Sequence, residues 1–257
     1  RYDNIALASL RIDHVFMDIM EKVQDVRKGS LTFAPEAGSQ RMRDAINKGI
    51  EYEDIMNGSG MCFAAGWNKV KLYFMLGLPG ETDEDVKAIA DLANDVAANY
   101  FEVVPKEERK GIRVMVTSST SFFIPKPFTP FQWAAMNTPE DFLRKAHLCN
   151  ETRENELNHK SLKYQYHENE LSELEGVFAR GDRKLSALIL DAYENGCLYD
   201  SWSEQFRYDI WCASFEKLGI DRTFYTTRER GLDETFPWDF IDTGVNRDFL
   251  RREWLKS

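Results

Sequence analysis

The chain has 257 residues, 43% of them hydrophobic and 13% aromatic, which suffices for one large α/β domain or two small ones with a buried core. Its 33 Lys and Arg against 43 Asp and Glu give a net charge of −10, so charge indicates neither a nucleic-acid partner nor an anionic membrane surface. The sequence contains no run of 18 apolar residues and no basic leader before an apolar stretch, which argues against a membrane span and a secretory signal. Residue 1 is Arg rather than Met, so we expect the chain to be a piece of a longer protein.

The cysteines and histidines indicate no metal centre within this sequence. Cys62, Cys149, Cys197 and Cys212 are 87, 48 and 15 residues apart, so neither a disulfide scaffold nor a metal-binding Cys spacing is present. The four histidines are scattered and lack zinc-binding spacing. We therefore expect buried cysteines that act as small apolar side chains, a reducing cytoplasmic location and no metal ligands from this chain.

The first 150 residues alternate between strand-like and helix-like patterns. Strands are predicted at 5–12, 30–34, 70–76 and 112–117, and helices through 17–23, at about 39–48, 52–65 and 82–100, and from 138 onward. Gly49 suits a left-handed helix end, and Thr82 with Asp85 forms a capping box. Strands that alternate with long helices indicate βαβ units and hence a parallel sheet or barrel.

From about residue 158 the pattern changes to helices and aromatic-rich loops. Apolar residues at helical spacing, such as Trp211, Phe215 and Leu218, predict helices in this part. We therefore expect an α/β domain over 1–157 and a mainly helical, aromatic-rich region over 158–257.

Three loops after predicted strands hold the candidate functional residues. They span 35–39, 77–82 and 118–130 and are rich in Gly, Pro, Ser and carboxylates, and in parallel α/β folds the chemistry lies at such carboxyl ends. In the second loop, Gly77-Leu78-Pro79-Gly80 would let a flat ligand approach the backbone, although a plain capped turn explains the pattern equally well.

Charged residues at the strand ends leave alternatives open. Glu36 directly follows a buried strand and could accept hydrogen bonds from a ribose or an ammonium group; alternatively it complements the dipole of the helix near Ser39. Arg11 could bind a ligand carboxylate or form an ion pair with Asp13 or Glu36.

The same loops resemble those of radical S-adenosylmethionine (radical SAM) enzymes. Residues 35–40 followed by 46–49 resemble the fourth βα loop of that superfamily, 76–82 resemble the Gly-Leu-Pro-Gly-Glu-Thr turn of the fifth, and 121–131 resemble the segment after the sixth strand. Within the superfamily, the sequence resembles an uncharacterised bacterial group that often carries an upstream cobalamin-binding-like domain. The resemblance to this group includes two later segments, Ala179-Arg180-Gly181-Asp182-Arg183 and Pro237-Trp238-Asp239.

The resemblance implies a partial TIM-type (β/α)6 barrel that lacks its first two βα units. It also implies an intact enzyme that uses S-adenosylmethionine and a 4Fe–4S cluster to generate a 5′-deoxyadenosyl radical, with an electron-donor protein. The upstream domain of that group leaves open whether cobalamin is a further cofactor. The family's cluster motif, C-x-x-x-C-x-x-C, is absent from this sequence, so we expect the isolated fragment to be inactive. The resemblance implies cofactor binding by Glu36, Ser39, Gly77, Leu78, Gly80, Glu81 and Ser118. We add Arg11 because of its place at a strand end. The catalytic residues and the substrate are not indicated.

Two other functions remain open. A noncatalytic partial barrel could engage a protein partner through the aromatic cluster Phe122, Phe123, Phe128, Phe131 and Trp133. An ordinary barrel enzyme could use Glu36 and Glu81 in acid–base chemistry, but no paired base or nucleophile accompanies them in the sequence.

Overall fold

The computed structural model describes residues 30–109, 111 and 113–256. The strand predicted at 5–12, with Arg11 near its end, and the helix predicted through 17–23 lie outside the described residues.

Four strands form one parallel sheet in the described part of the chain. They are β1 (Leu31–Glu36), β2 (Lys69–Leu76), β3 (Met115–Phe122) and β4 (Leu162–Tyr166), hydrogen-bonded in that order, and each neighbouring pair is parallel. The connections are helical: α1 (Gln40–Ala45) and α2 (Tyr52–Ala64) join β1 to β2, α3 (Asp83–Val103) joins β2 to β3, and α4 (Pro139–Asn155) joins β3 to β4. Parallel strands require such crossovers. The predicted α/β class is therefore confirmed, and the arrangement is consistent with part of a TIM-type barrel.

The two faces of the sheet differ in polarity. In β2, Val70, Leu72, Phe74 and Leu76 are buried, whereas the residues between them are half-buried or exposed. Successive side chains of a strand point to opposite faces, so one face is apolar and the other is more polar. Helix α3 packs against β2 and β3 and contributes a buried apolar stripe that runs from Val86 to Tyr100.

Two of the predicted helices, α2 and α3, begin where their sequence signals indicate, whereas α1 ends early. Thr82 caps α3 and forms the predicted capping box with Asp85, and α2 covers the predicted range despite its two glycines. Helix α1, however, ends at Ala45 rather than near Lys48. Asn47 adopts a left-handed φ of 52° ahead of Gly49 at 63°, so the chain leaves the helix before it reaches the glycine.

Strands β3 and β4 differ from the sequence predictions. The predicted strand at 112–117 lies at 115–122, and β4 was not predicted at all. The Ser- and Thr-rich half of β3 resembles a loop locally, but all eight residues of β3 pair with β2. The Thr120 hydroxyl and the Tyr164 hydroxyl lie 2.9 Å apart across β3 and β4. Pairing with neighbours therefore decides the structure here, as is common for strands.

The described chain divides into two compact units. The first comprises the residues up to Phe122 together with Leu143–Tyr166, and the second comprises Phe123–Phe142 together with the residues from His167 onward. The second unit contains α5 (Asn169–Ala179), α6 (Leu185–Glu194), α7 (Tyr208–Leu218) and α8 (Arg247–Trp254). A division into compact units does not show which parts of a chain fold independently. The predicted division into domains at 1–157 and 158–257 therefore stays a prediction.

The second unit is built around two apolar clusters. One joins α5, α6 and α7 through Val177, Leu188, Trp211 and Phe215, among others. The other surrounds Trp133, which is fully buried against Phe236, Trp238 and Leu250. Among the helices of the described residues, none combines the length and the apolar character that crossing a bilayer requires.

Candidate functional site at the carboxyl edge of the sheet

The loops that follow β1 and β2 meet at one edge of the sheet. Glu36, the last residue of β1, pairs with Phe74 of β2, three residues before Gly77. The Ser39 hydroxyl donates a hydrogen bond of 2.6 Å to Asp85, and Arg41 donates one of 2.9 Å to the Gly80 carbonyl. The two loops that were predicted to share a site are therefore adjacent.

Gly38 shows how closely the first loop packs against α3. A Cβ atom at Gly38 would lie 2.3 Å from the Ile89 nitrogen and 2.5 Å from the Ala88 carbonyl carbon, both of which are backbone atoms. Since backbone of a helix cannot move aside as a side chain can, only glycine fits at this position. The contact holds the residues after β1 against the start of α3.

Glu36 combines an unusual backbone conformation with a partly accessible carboxylate. Its φ is 69°, a left-handed value that is uncommon for a residue other than glycine. Its carboxylate accepts a hydrogen bond of 3.1 Å from Lys48, and both side chains are 28% exposed. Non-glycine residues in this region cluster at functional sites, where the surrounding structure maintains them. Lys48 therefore positions a carboxylate that solvent and ligands can reach.

Glu81 has a different role, because it closes the turn after β2. Its carboxylate accepts hydrogen bonds of 2.8 Å from the Gly77 N–H and from Lys145 of α4, and the Glu81 and Lys145 side chains are 3% and 8% exposed. Burial raises the pKa of the Glu81 carboxyl, while Lys145 and the Gly77 N–H act in the opposite direction. A carboxylate with these partners stabilises the loop and is not free for acid–base chemistry. Gly77, with a φ of 86°, and Leu78 are buried, whereas Gly80 is exposed.

Ser39 and Asp85 form the polar link between the two loops. The Ser39 hydroxyl accepts the Met42 N–H as the cap of α1 and donates to Asp85, so both of its hydrogen-bonding roles are used within the protein. Asp85 also accepts hydrogen bonds from the Thr82 N–H and hydroxyl and from Arg41. Burial alone would raise the pKa of Asp85, but the hydrogen bonds from Ser39, Thr82 and Arg41 lower it to about 2.

The structure corrects the predicted location of Ser118. Ser118 lies in the middle of β3, opposite Leu72 of the apolar face, and is buried, whereas the sequence placed it in the loop after the strand. By strand alternation, Ser119 and Ser121 lie on the other face, opposite Tyr73 and Met75. Gln165 donates a hydrogen bond of 3.1 Å to the Ser119 hydroxyl. We call Tyr73, Met75, Ser119, Ser121 and Gln165 the polar face of the sheet.

Within the described residues, the cysteines are not gathered into a metal-ligating group. Cys62, Cys149 and Cys197 are buried, and burial raises the pKa of their thiols to about 12, 12 and 11, which disfavours the thiolate that binds metals. No group of three or more metal-ligating side chains occurs in the part of the chain that the structure describes.

The aromatic cluster proposed as a partner-binding surface is largely buried. Phe122, Phe123 and Trp133 are at most 6% exposed. Phe131 packs edge-on against Phe123 and Trp254, and Phe128 packs against the cluster around Trp133. This segment therefore forms a core and does not present the exposed aromatic surface that the alternative function requires.

Several residues that shape the site were not found from the sequence. Lys48 and Lys145 lie 12 and 64 residues from the glutamates that they pair with, and no local pattern links Lys145 to Glu81. Arg41 likewise reaches Gly80 from 39 residues away. The sequence predicts Asp85 as the capping-box partner of Thr82, but it gives no signal for the hydrogen bond between Asp85 and Ser39.

Comparison with known proteins agrees with the loops and the fold. Residues 5–93 match the family model of the radical SAM superfamily, a range that includes β1, β2 and the loops at their carboxyl ends. Over these residues the chain is similar to the radical SAM superfamily, in agreement with the resemblance of its loops. It is also 31% identical over 217 residues to an uncharacterized protein of Methanocaldococcus jannaschii, an alignment that covers 84% of this chain and 44% of that protein. The chain thus spans less than half the length of this relative. No solved structure matches it.

Proposed function

We propose that the carboxyl edge of β1 and β2 forms part of the S-adenosylmethionine site of a radical SAM enzyme. The observation that carries this proposal is that the family match spans two loops that hydrogen bonds bring together at one edge of a parallel sheet. Ligands of α/β barrels bind at that edge.

The residues present fit the polar part of this cofactor. Glu36 offers a partly exposed carboxylate that can accept hydrogen bonds from ribose hydroxyls or from the methionine ammonium group. Gly77 lacks the Cβ that would keep a flat base away from the backbone of the turn. Its own N–H already donates to Glu81, so the turn would serve as a preformed surface rather than as a donor.

The other residues of the predicted site have supporting parts in this proposal. Ser39 holds the first loop against Asp85, and Glu81 with Lys145 holds the second. Since Ser118 is buried opposite Leu72, the half-buried Ser121 replaces it as the candidate polar contact on the polar face. Ser119 is itself buried and accepts a hydrogen bond from Gln165, so it supports this face. Arg11 stays a prediction because it lies outside the described residues.

S-Adenosylmethionine, once bound and reduced through a 4Fe–4S cluster, supplies a 5′-deoxyadenosyl radical that abstracts hydrogen from a substrate. The cysteines described above do not fit such a cluster, so we place its ligands outside residues 1–257, in the intact protein. That protein would receive its electron from a separate donor in a reducing, cytoplasmic environment. Cobalamin stays a prediction from the resemblance.

Calorimetric titration of the intact, anaerobically purified protein with S-adenosylmethionine tests the proposed site. We expect saturable binding with one site, and a dissociation constant about tenfold higher in Glu36→Gln, because a charged hydrogen-bond acceptor becomes neutral. Glu107→Gln, an exposed change in the loop after α3, serves as the matched control and should bind like the wild type.

The Glu36→Gln variant should keep its fold, since the Lys48–Glu36 pair is partly exposed and such pairs contribute little stability. Circular dichroism checks this point. Wild-type affinity in a folded Glu36→Gln variant would remove Glu36 from the site, and absence of saturable binding to the wild type would contradict the proposed function.

A further inference from the structure

A cavity of about 600 Å³ lies within the second unit. Its lining residues come from three stretches of the chain, 180–184, 224–230 and 234–240. The first and the third include the residues around Arg180–Arg183 and Pro237 that the family resemblance had singled out. Five cationic side chains line it, along with two carboxylates: Arg180, Arg183, Lys184, Arg228 and Arg230, with Asp182 and Glu234. Such a concentration of positive charge is unexpected in a chain whose net charge is −10.

Two of the cations are buried and form no ion pair with another described residue. Arg180 is 1% exposed and Arg230 is 5% exposed. Arg180 donates to the carbonyls of Ala134 and Thr226, and Arg230 donates to those of Phe224 and Tyr225. All of these acceptors are uncharged, and the Nε of Arg180 and an Nη of Arg230 have no hydrogen-bond partner among the described residues. These nitrogen atoms are closed off from solvent, so the two guanidinium groups contribute positive charge from within the wall of the cavity. Burying charge without an opposite charge is costly, and an anion in the cavity would offset that cost.

The pKa values agree with this excess of positive charge. Burial, together with repulsion from Arg230 and Arg228, lowers the pKa of Arg180 to about 9. Burial and Arg228 likewise lower the pKa of Arg230 to about 10, against the opposing effect of Glu234. Both groups still carry their charge at neutral pH.

The two carboxylates of the cavity are already occupied. Glu234 accepts both arms of the Arg228 guanidinium, at 2.8 and 2.7 Å. Asp182 accepts hydrogen bonds from the Tyr225 hydroxyl and from the Lys184 N–H. Arg228 and Glu234 balance each other, and the partners of Asp182 are uncharged, so its negative charge remains. The four other cations, Arg180, Arg183, Lys184 and Arg230, therefore face one carboxylate charge, and the cavity keeps an excess of positive charge.

The cavity also has exposed cations and exposed apolar surface among its lining residues. Arg183 and Lys184 are exposed, so their long side chains can reach a ligand directly. Phe224 and Phe240 are 46% and 85% exposed and offer flat apolar surface beside them. A ligand that fits has a strongly anionic end and an aromatic or apolar end.

We propose that this cavity binds a phosphorylated small molecule, with its phosphate toward Arg183, Lys184 and the buried arginines and its apolar part against Phe224 and Phe240. A phosphate monoester carries up to two negative charges near neutral pH and so matches several unpaired cations better than a single carboxylate does. The net negative charge of the chain and the size of the cavity favour a small ligand over a nucleic acid. This site does not depend on the proposed S-adenosylmethionine site.

Titration of the intact protein with phenyl phosphate tests the proposal, with benzoate as the carboxylate analogue and inorganic phosphate as the anion alone. We expect saturable binding of phenyl phosphate at one site, with weaker binding of both other compounds. The double variant Arg183→Gln/Lys184→Gln should raise the dissociation constant for phenyl phosphate at least tenfold. Arg252→Gln removes an exposed cation of the second unit that does not line the cavity and should bind within twofold of the wild type.

Other results would overturn the proposal. Binding that does not saturate, or equal binding by the double variant, contradicts a site in this cavity. Benzoate that binds as tightly as phenyl phosphate contradicts the choice of phosphate, and an RNA oligonucleotide that displaces phenyl phosphate at lower concentration contradicts a small ligand. Because Arg183 and Lys184 are exposed, the double variant should fold. Arg230→Gln, checked by thermal melting, gives a second variant with the same expected loss of binding.

Discussion

Asp85 links two loops through a set of hydrogen bonds that depends on its charge. Ser39, Thr82 and Arg41 all donate to this carboxylate, and together they lower its pKa to about 2 from an ordinary value of 3.8. A carboxyl group whose pKa is lowered on folding stabilises the protein above its unfolded pKa. This stabilisation is lost as the pH falls through the folded value.

Asp85→Asn should therefore destabilise the protein by about 2 kcal/mol at pH 7. The difference from the wild type should shrink as the pH falls from 4 toward 2, because the wild-type carboxylate becomes protonated. Urea denaturation at a series of pH values measures this. Glu84→Gln, in the same helical turn but 81% exposed, should change the unfolding free energy by less than about 0.5 kcal/mol. A difference that stays constant with pH would contradict the charge-dependent account.

At the residue scale, the sequence predicts roles that depend on near neighbours. The Thr82–Asp85 capping box is recognisable because its two members are three residues apart. The Glu81–Lys145 pair is not recognisable, since its members come from different elements. From sequence alone, a glutamate that follows a strand could bind a ligand or form a structural ion pair. For Glu81, the position of Lys145 in the fold shows that it forms an ion pair.

At the scale of elements, the contact between the first loop and α3 depends on a glycine. Gly38→Ala should destabilise the protein by about 3 kcal/mol, because the added Cβ would overlap the helix backbone at Ile89. Gly49→Ala is the control: its φ of 63° disfavours alanine, but no atom lies within 4 Å of the added Cβ. Its cost should be about 1 kcal/mol. Thermal and urea denaturation compare the two, and equal effects would contradict the close contact.

The register of β3 determines which serines face the proposed ligand. Cysteines introduced at Ser118 and Ser121 should differ at least tenfold in their rate of alkylation by iodoacetamide, with Ser121→Cys the faster. The reason is that Ser118 is buried opposite Leu72, whereas Ser121 lies half-buried on the polar face. Peptide mass spectrometry measures both rates, with buried Cys62 as an internal reference. Faster reaction at Ser118 would mean that the strand is shifted by one residue.

Elements with a strong local signal were predictable, and those that depend on partners were not. The capped, amphipathic α3 and the apolar strand β2 agree with the sequence within three residues at their ends. Strand β4 has only five residues, most of them polar or exposed, and it is a strand because β3 pairs with it. The mid-strand position of Ser118 was missed for the same reason, since the Ser- and Thr-rich half of β3 resembles a loop until its pairing is known.

At the scale of the whole molecule, the two units carry separate chemical proposals. The first unit offers loops at a sheet edge that fit S-adenosylmethionine, and the second offers a basic cavity that fits an organic phosphate. The resemblance in the sequence agrees with the family match over residues 5–93, and the first site that it implies stays a proposal. It singled out Arg180 and Pro237 without a role, because the buried Arg180 and Arg230, 50 residues apart in the sequence, come together only in the folded unit.

The most direct test of the account is the reductive cleavage of S-adenosylmethionine by the intact protein, reconstituted anaerobically with iron and sulfide and treated with dithionite. The account predicts that 5′-deoxyadenosine forms only when the reductant is present. Protein that contains its full complement of iron and sulfide, yet leaves S-adenosylmethionine uncleaved under these conditions, would contradict it.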